Sequence, residues 1–245
     1  MRVITWNCNM AFRKKAGFIL ALKPDILIIQ ECEHPDKLIF GYDIPPPNDT
    51  LWFGTNKNKG LGIFSFCNLR FKLLDTHNPA FQLIIPIAVT DDHLDFTLYA
   101  IWANNRSDPG ARYIEQVWKA LHHYDNHLSN KKTMLAGDFN SNTIWDKKHS
   151  GGSHSNVVNR LAAKGIYSSY HLHYKQTQGK EEHPTLYMHR HKDKAYHIDY
   201  CFVSEDMANR IQSVEIGDYD YWSQFSDHTP VIVTFNITEG ESVRF

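Results

Sequence analysis

The sequence predicts an α/β domain built on two mixed, largely antiparallel sheets. Three observations carry this. A strand, a helix and a second strand open the chain; a run of strands joined without helices follows; and a strongly amphipathic helix then separates these from a second set of strands. Across the 245 residues there is no repeat, low-complexity tract or linker, so one domain over residues 1–245 is the expectation, long enough to bury most of its unfolded surface.

The elements follow in order. Arg2 to Thr5 reads as a strand ending near Asn7, and Arg13 to Lys23 as a helix stopped by Pro24. ILIIQE, Ile26 to Glu31, is a short continuous apolar run that suits a strand covered on both faces. Further strands are expected at Gly62 to Cys67, Phe71 to Thr76, Leu83 to Thr90 and Phe96 to Ala103. In SDPGARYIEQVWKALHHYDNHL, Asp108 can cap, Pro109 can take the first helical position, and Tyr113, Val117 and Leu121 recur at helical spacing beside Ile114 and Trp118. Lys132 to Ala136 forms a strand running into GDFN. After a Gly and Ser loop at Ser150 to Ser153, Val157 to Ala163 reads as helix and His197 to Val203 as strand. Ser204 starts a short helix through Arg210, and strands at Ser213 to Gly217 and Val231 to Phe235 finish the domain. Tyr42 to Trp52, Ile144 to Asn156 and His171 to Leu186 are loops that would shape a pocket.

Composition narrows the function classes. With 42% hydrophobic, 13% aromatic and 22% charged residues the chain is globular rather than disordered. A net charge of -1 supplies no global field toward nucleic acid or an anionic membrane, so any polyanion must be held locally. MRVITWNCNM does not resemble a secretion signal, and nothing approaches the ~18 apolar residues of a membrane span. A soluble, cytoplasmic monomer is expected. The four cysteines, Cys8, Cys32, Cys67 and Cys201, form no CxxC pair, which argues against a zinc knuckle or redox motif and for small core residues.

Polar groups cluster at one kind of address. Asn7, Glu31, Asp138 with Asn140, Asp199, and Asp227 with His228 all sit at or near the ends of expected strands. Polar side chains in apolar strands are costly unless paired or coordinated. Because sites in α/β folds form at strand ends, these oxygens could converge on a hard cation such as Mg²⁺, whereas zinc would want His or Cys. The chemistry implied is metal-assisted attack of water on a phosphate ester, a carboxylate taking the proton and a hydrogen-bonded His or Asn stabilising the developing charge. Taken singly, Asp138 and Asn140 suit a turn after a strand, Asn7 a turn, and Asp227 a cap. Among the 15 histidines, the pairs His171 with His173 and His189 with His191 read as solvated loops; His122, His123 and His127 read as helix surface, and Lys14 and Lys15 as a solvated helix face. Trp118 and Tyr113 read as core.

Taken together, ITWNCN, IIQE, AGDFNSN, HIDYCF and SDHTPV, in that order from Ile4 to Val231, resemble the motifs of the endonuclease, exonuclease and phosphatase superfamily, which shares the deoxyribonuclease I fold. The resemblance implies a four-layer α/β sandwich of two packed sheets flanked by helices. It also implies a phosphodiesterase dependent on Mg²⁺, or on Mn²⁺, and most closely a nuclease cutting DNA in preference to RNA or another phosphate ester. Carried over, Glu31 resembles the main metal ligand, Asn7 its neighbour and Asp227 a second metal-side carboxylate. Asp138 resembles the group that orients or deprotonates water, Asn140 a contact to the scissile phosphate, and Asp199 the acid paired with His228.

The chain departs from the pattern where many members place a Tyr or His near the leaving group. Ile101 and Trp102 stand there, so Asn104 and Arg106 are the substitutes, with Trp145 as a substrate-stacking residue. Lys57, Lys59, Arg106, Lys147, Lys148 and Tyr187 are further local candidates for nucleic-acid contact. KAYHIDYCF lacks the Trp-Cys-Asp-Arg signature of the inositol polyphosphate phosphatases. A phosphomonoesterase, a lipid or sugar phosphodiesterase, or a noncatalytic binding module on this fold are the alternatives.

Overall fold

The computed structural model describes residues 1–39, 44–81, 83–104, 112–128 and 132–237. The strands begin with β1 (Arg2–Asn7), β2 (Ile26–Cys32), β3 (Asp49–Asn56) and β4 (Lys59–Ser65). They continue with β5 (Arg70–Leu73), β6 (Ile84–Thr90), β7 (Asp95–Trp102), β8 (Thr133–Asp138) and β9 (Ile166–Ser168). The last are β10 (Leu186–Tyr187), β11 (Ala195–Tyr196), β12 (Asp199–Ser204), β13 (Ile211–Ile216) and β14 (Val231–Phe235). Between them lie α1 (Ala16–Leu20), α2 (Ile114–His123), α3 (Asp125–Leu128), α4 (His154–Ala162), α5 (Ser169–Tyr174), α6 (Glu205–Ala208) and α7 (Tyr219–Trp222).

Two six-stranded sheets result, ordered β13-β14-β1-β2-β4-β3 and β5-β6-β7-β8-β12-β9, while β10 and β11 pair separately. Both sheets follow one plan. A central parallel pair, β1 with β2 and β7 with β8, is flanked on each side by antiparallel strands. Parallel neighbours end at the same edge, and an antiparallel neighbour starts there, so the ends of β1, β2, β7 and β8 share a rim with the starts of β12 and β14.

The side-chain period of two then decides which residues meet. Val3, Ile26, Ile28, Leu61, Val231 and Val233 of one sheet pack against Leu98, Ala100, Met134, Ala136, Cys201 and Val203 of the other. Continuing the same alternation to the rim puts Thr5 and Asn7, Gln30, Trp102, Asp138 and Asp199 on these inner faces. The opposite face of the second sheet is covered by α2, α3 and α4 through Ile114, Val117, Leu121, Leu128, Val157 and Leu161. That of the first is covered by Phe12, Ala16, Ile19 and Trp222. The layers are helices, sheet, sheet, helices, as the resemblance implies.

Several local expectations are corrected. The segment from Arg13 to Lys23 is not one helix: a 3₁₀ turn at Phe12–Lys14 and the short α1 are separated by Lys15, which has φ -122°. The Lys15 ammonium is turned inward, donating to the carbonyls of Cys8 at 2.5 Å and Asn9 at 3.1 Å, so it is not on a solvated face. Asn9, Met10 and Ala11, just before that turn, all have left-handed φ, 51°, 60° and 51°. The stretch expected as a loop up to Trp52 contains the start of β3. Gly54 on β3 itself and Gly60 on β4 lie so close to the Trp52 indole that a Cβ on either would meet it below 3.0 Å, a fit to an edge strand that alternation does not reveal. The helix expected from Asp108 starts at Ile114 after Tyr113, whose φ is 49°; Asp108 and Pro109 lie outside the described residues. His171 is not in a solvated loop but on α5, hydrogen-bonded to Ser168 Oγ at 2.8 Å and Glu181 Oε1 at 3.0 Å.

Gly137 has φ 147°, and a Cβ there would lie 1.9 Å from the Ile101 carbonyl oxygen of the paired strand. Gly137→Ala is therefore expected to cost at least ~2 kcal/mol of stability, from left-handed strain plus a backbone clash that no side chain can relieve. Denaturant midpoints with an unchanged m-value would measure it; a shift near zero would contradict the account.

Candidate active site at the shared rim

Asp138 ends β8 fully buried. Its Oδ1 accepts the Asn140 backbone N–H at 2.8 Å, and its Oδ2 accepts Asn140 Nδ2 at 2.9 Å and Asn7 Nδ2 at 3.1 Å. The Asn7 bond crosses from one sheet to the other. Asn140 reaches back because its own φ is 47°, and its Nδ2 also donates to the Ala103 carbonyl at 2.9 Å.

Asp199 is the register partner of Asp138 across β12 and β8, which places two carboxyl groups side by side in the interior. Asp199 Oδ2 meets His228 Nδ1 at 2.9 Å, while Asp199 Oδ1 is buried without a partner among the described residues. Burial and the neighbouring Asp199 charge push the Asp138 carboxyl up to about 7, against the pull of His228 and the hydrogen bonds. Burial alone would depress His228, but the Asp199 carboxylate and its hydrogen bond, with Asp138 and Asp227, hold it up at about 10. Asp138, Asp199 and His228 form the one group of three His, Cys, Asp or Glu residues among the described residues able to hold a metal ion, their ligand atoms lying within 4.8 Å of one another.

Glu31 arrives by a different route. The register of β2 against β4 shifts between Gln30 and Cys32, and Glu31 takes φ 58°, so a bulge interrupts the alternation and frees this residue from it. Its carboxylate pairs with Lys59 Nζ at 3.0 Å. Asp227 accepts a hydrogen bond from Asn9 Nδ2 at 3.0 Å, and Asn9 N–H donates to Asn7 Oδ1 at 3.1 Å.

Asn7, Glu31, Asn140, Asp227 and His228 open on one cavity of about 930 Å³. Phe53, His77, Trp102 and Tyr113 contribute to its walls, with Lys59 and Asn104. Asn104 Oδ1 is buried without a partner among the described residues. Arg106 lies outside the described residues. Trp145 is not among the cavity-lining residues; its ring packs on Tyr196 with centroids 4.9 Å apart. Tyr187 is buried against Tyr219.

The supporting groups have little signature in the sequence. Ser226 Oγ donates to the Asn7 carbonyl at 2.7 Å and accepts His228 N–H at 3.0 Å; Trp6 Nε1 donates to the His228 carbonyl at 2.9 Å. Thr185 Oγ1 accepts the N–H groups of both Ile198 and Asp199 at 3.0 Å, from a segment with no regular pattern. Behind the GDFN turn, Asn142 Nδ2 donates to Glu181, to the His197 carbonyl and to Tyr200 Oη. Burial opposes the Glu181 charge, but the His171, Gly179 and Asn142 donors hold its carboxyl down at about 2. Burial holds His154 and His197 at about 4, so these two rings are neutral at physiological pH and bring no positive charge to the cluster that braces the turn.

Glu31, Asp227, Asn7 and Asn140 bring carboxylate and amide oxygens to the cavity, and behind it the buried Asp199 Oδ1 lacks a partner among the described residues; that chemistry fits a hard divalent cation. No helix among the described residues is long and apolar enough to cross a membrane.

The chain is similar in fold to a 3′ phosphatase, NExo, from Neisseria, solved bound to product DNA hairpin, at 22% identity and a TM-score of 0.67 over 97% of this chain and 100% of that one. The same figures relate it to a structure described as the 3′-5′ exonuclease NExo from Neisseria meningitidis. An AP endonuclease from Archaeoglobus fulgidus superposes with a TM-score of 0.67 at 15% identity, over 97% of this chain and 100% of that chain. No curated protein sequence gives a significant match. Residues 4–228, a span that runs from β1 to His228 just before β14, match the profile of the Endonuclease/Exonuclease/phosphatase family, and the chain belongs to that family.

Proposed function

We propose that the chain is a divalent-metal-dependent phosphodiesterase, a nuclease that hydrolyses DNA by attack of water on phosphorus. The observation that carries the reading is the buried Asp138 carboxylate, fixed by Asn7 and Asn140 and flanked by the Asp199–His228 pair, beneath an open cavity. A water in the cavity would give its proton to Asp138, whose raised affinity for protons suits a general base at neutral pH. Asn7 and Asn140 hold that carboxylate in place. His228, protonated and held at Nδ1 by Asp199, presents the other side of its ring to the cavity and would neutralise charge on a phosphoryl oxygen. Glu31, Asn7 and Asp227 would hold the cation, Mg²⁺ or Mn²⁺. When bound, it supplies charge neutralisation and a more acidic water.

The NExo structure described as a 3′ phosphatase supports a second reading, hydrolysis of a terminal phosphate monoester. The experiment is hydrolysis of plasmid DNA, single-stranded DNA, RNA, a 3′-phosphorylated oligonucleotide and bis-p-nitrophenyl phosphate, with Mg²⁺, Mn²⁺ or chelator. Internal or terminal cleavage of DNA that chelator abolishes is expected. Release of inorganic phosphate alone would select the monoesterase, and folded protein that cleaves none of them would leave a binding module.

A further inference from the structure

Lys59 is the one lysine or arginine lining the cavity among the described residues. It opens β4 directly after the tight turn from β3, where its register partner is Asn56. Its ammonium has two seats. One is the Glu31 carboxylate at 3.0 Å, and the other is the face of Trp102, with the nitrogen 5.2 Å from the ring centroid. Trp102 is itself fixed, buried at the end of β7 in register with Asp138.

The two seats differ in how easily they are vacated. The ion pair is solvent-touched, with side-chain exposures of 41% for Lys59 and 18% for Glu31, and partly exposed pairs of this kind are weak and exchangeable. A divalent cation competing for Glu31 brings twice the charge to the same oxygens. The indole face, by contrast, attracts a cation without satisfying its hydrogen-bond donors. An ammonium displaced from Glu31 but retained over Trp102 would therefore keep its N–H groups free, at a cavity wall beside Asp138. A phosphate oxygen is the charged acceptor such donors favour most.

We propose that the Glu31–Lys59 pair is a latch coupling cation and phosphate binding: the cation takes Glu31, and Lys59, still seated over Trp102, turns to a non-bridging phosphate oxygen. This rests on the reading of the site as a divalent-cation phosphodiesterase. Each ligand removes the obstacle to the other, so the two bind with reciprocal positive coupling.

The test is calorimetric titration of Mn²⁺ into wild type, Lys59→Met and Lys59→Arg, without and with saturating thymidine 5′-monophosphate. Wild type should bind Mn²⁺ at least about fivefold more tightly when nucleotide is present. Lys59→Met should bind Mn²⁺ about two- to fivefold more tightly than wild type without nucleotide, because the competing cation is gone, and lose part of the coupling. Lys59→Arg should restore it. Glu31→Gln supplies an independent arm: with Lys59 released, the nucleotide should bind more tightly in chelator than it does to wild type. Unchanged coupling in Lys59→Met, or no gain in Glu31→Gln, overturns the latch while leaving the phosphodiesterase reading intact. Wild type that neither binds Mn²⁺ nor shows chelator-sensitive hydrolysis overturns both.

Discussion

Asp138→Asn should lower kcat by roughly a thousandfold, within the range general-base catalysis contributes, while the protein stays folded. Asn keeps the shape and one acceptor oxygen, but a neutral amide oxygen is far too weak a base to take the proton of water, and its amide donor would face Asn7 or Asn140. The stability of the variant gives a second and independent reading. Asp138 titrates at about 7 in the fold against an ordinary 3.8, so the folded chain binds a proton that the unfolded chain releases. Its contribution to stability is therefore fully present below pH ~4 and is lost as pH rises toward 7. Denaturant titrations from pH 4 to 7 should show wild type losing stability relative to Asp138→Asn. Parallel curves would mean that Asp138 is not the group under burial stress.

His228→Gln should reduce kcat by a comparable factor, about two to four orders of magnitude, through loss of a positioned positive donor. His228 titrates at about 10 rather than 6.5 because the Asp199 and Asp138 carboxylates outweigh burial. The sign is that of a group gaining acidic partners: the stabilisation is present below pH ~6.5 and disappears as pH passes 10. Unfolding free energies of wild type and His228→Gln should accordingly converge between those limits. Proton NMR of the ring should find it still charged at pH 8 in wild type, and neutral there in Asp199→Asn. A ring that titrates near 6.5 in wild type would remove His228 from the role of a permanent cation.

Much of this arrangement is legible in the sequence, and for a physical reason. Asp138 and Asp199 sit at the ends of apolar strands and His228 just before one, where buried polar groups are too costly to be incidental, and five motifs with polar groups at such places in a fixed order leave little freedom. What is hidden depends on pairing or on backbone exceptions. The aim of Glu31 comes from a bulge and a left-handed φ, neither carried by its local pattern. Lys15 looks like any lysine on a short helix, yet its partners are the Cys8 and Asn9 carbonyls. The edge strand β3 carries Trp52 against its own Gly54 and, across the hairpin, against Gly60. Likewise His171 acquires its partner from Glu181, ten residues away in a loop.

One consequence of the shared rim concerns the making of the protein. Asn7 and Glu31 come from the start of the first sheet and Asp138 and Asp199 from the second, but His228 precedes β14, which pairs with β1. No half of the chain carries the whole set. During synthesis the site stays divided until Phe235 has been added and β14 has closed onto β1, because domains fold as units once their last strand is available. On the roles proposed, a nascent or truncated chain is silent toward nucleic acid, and hydrolysis begins only with a finished fold. Activity in a crude lysate would then report intact, folded chains and ignore fragments, which makes it a folding assay as much as an enzymatic one.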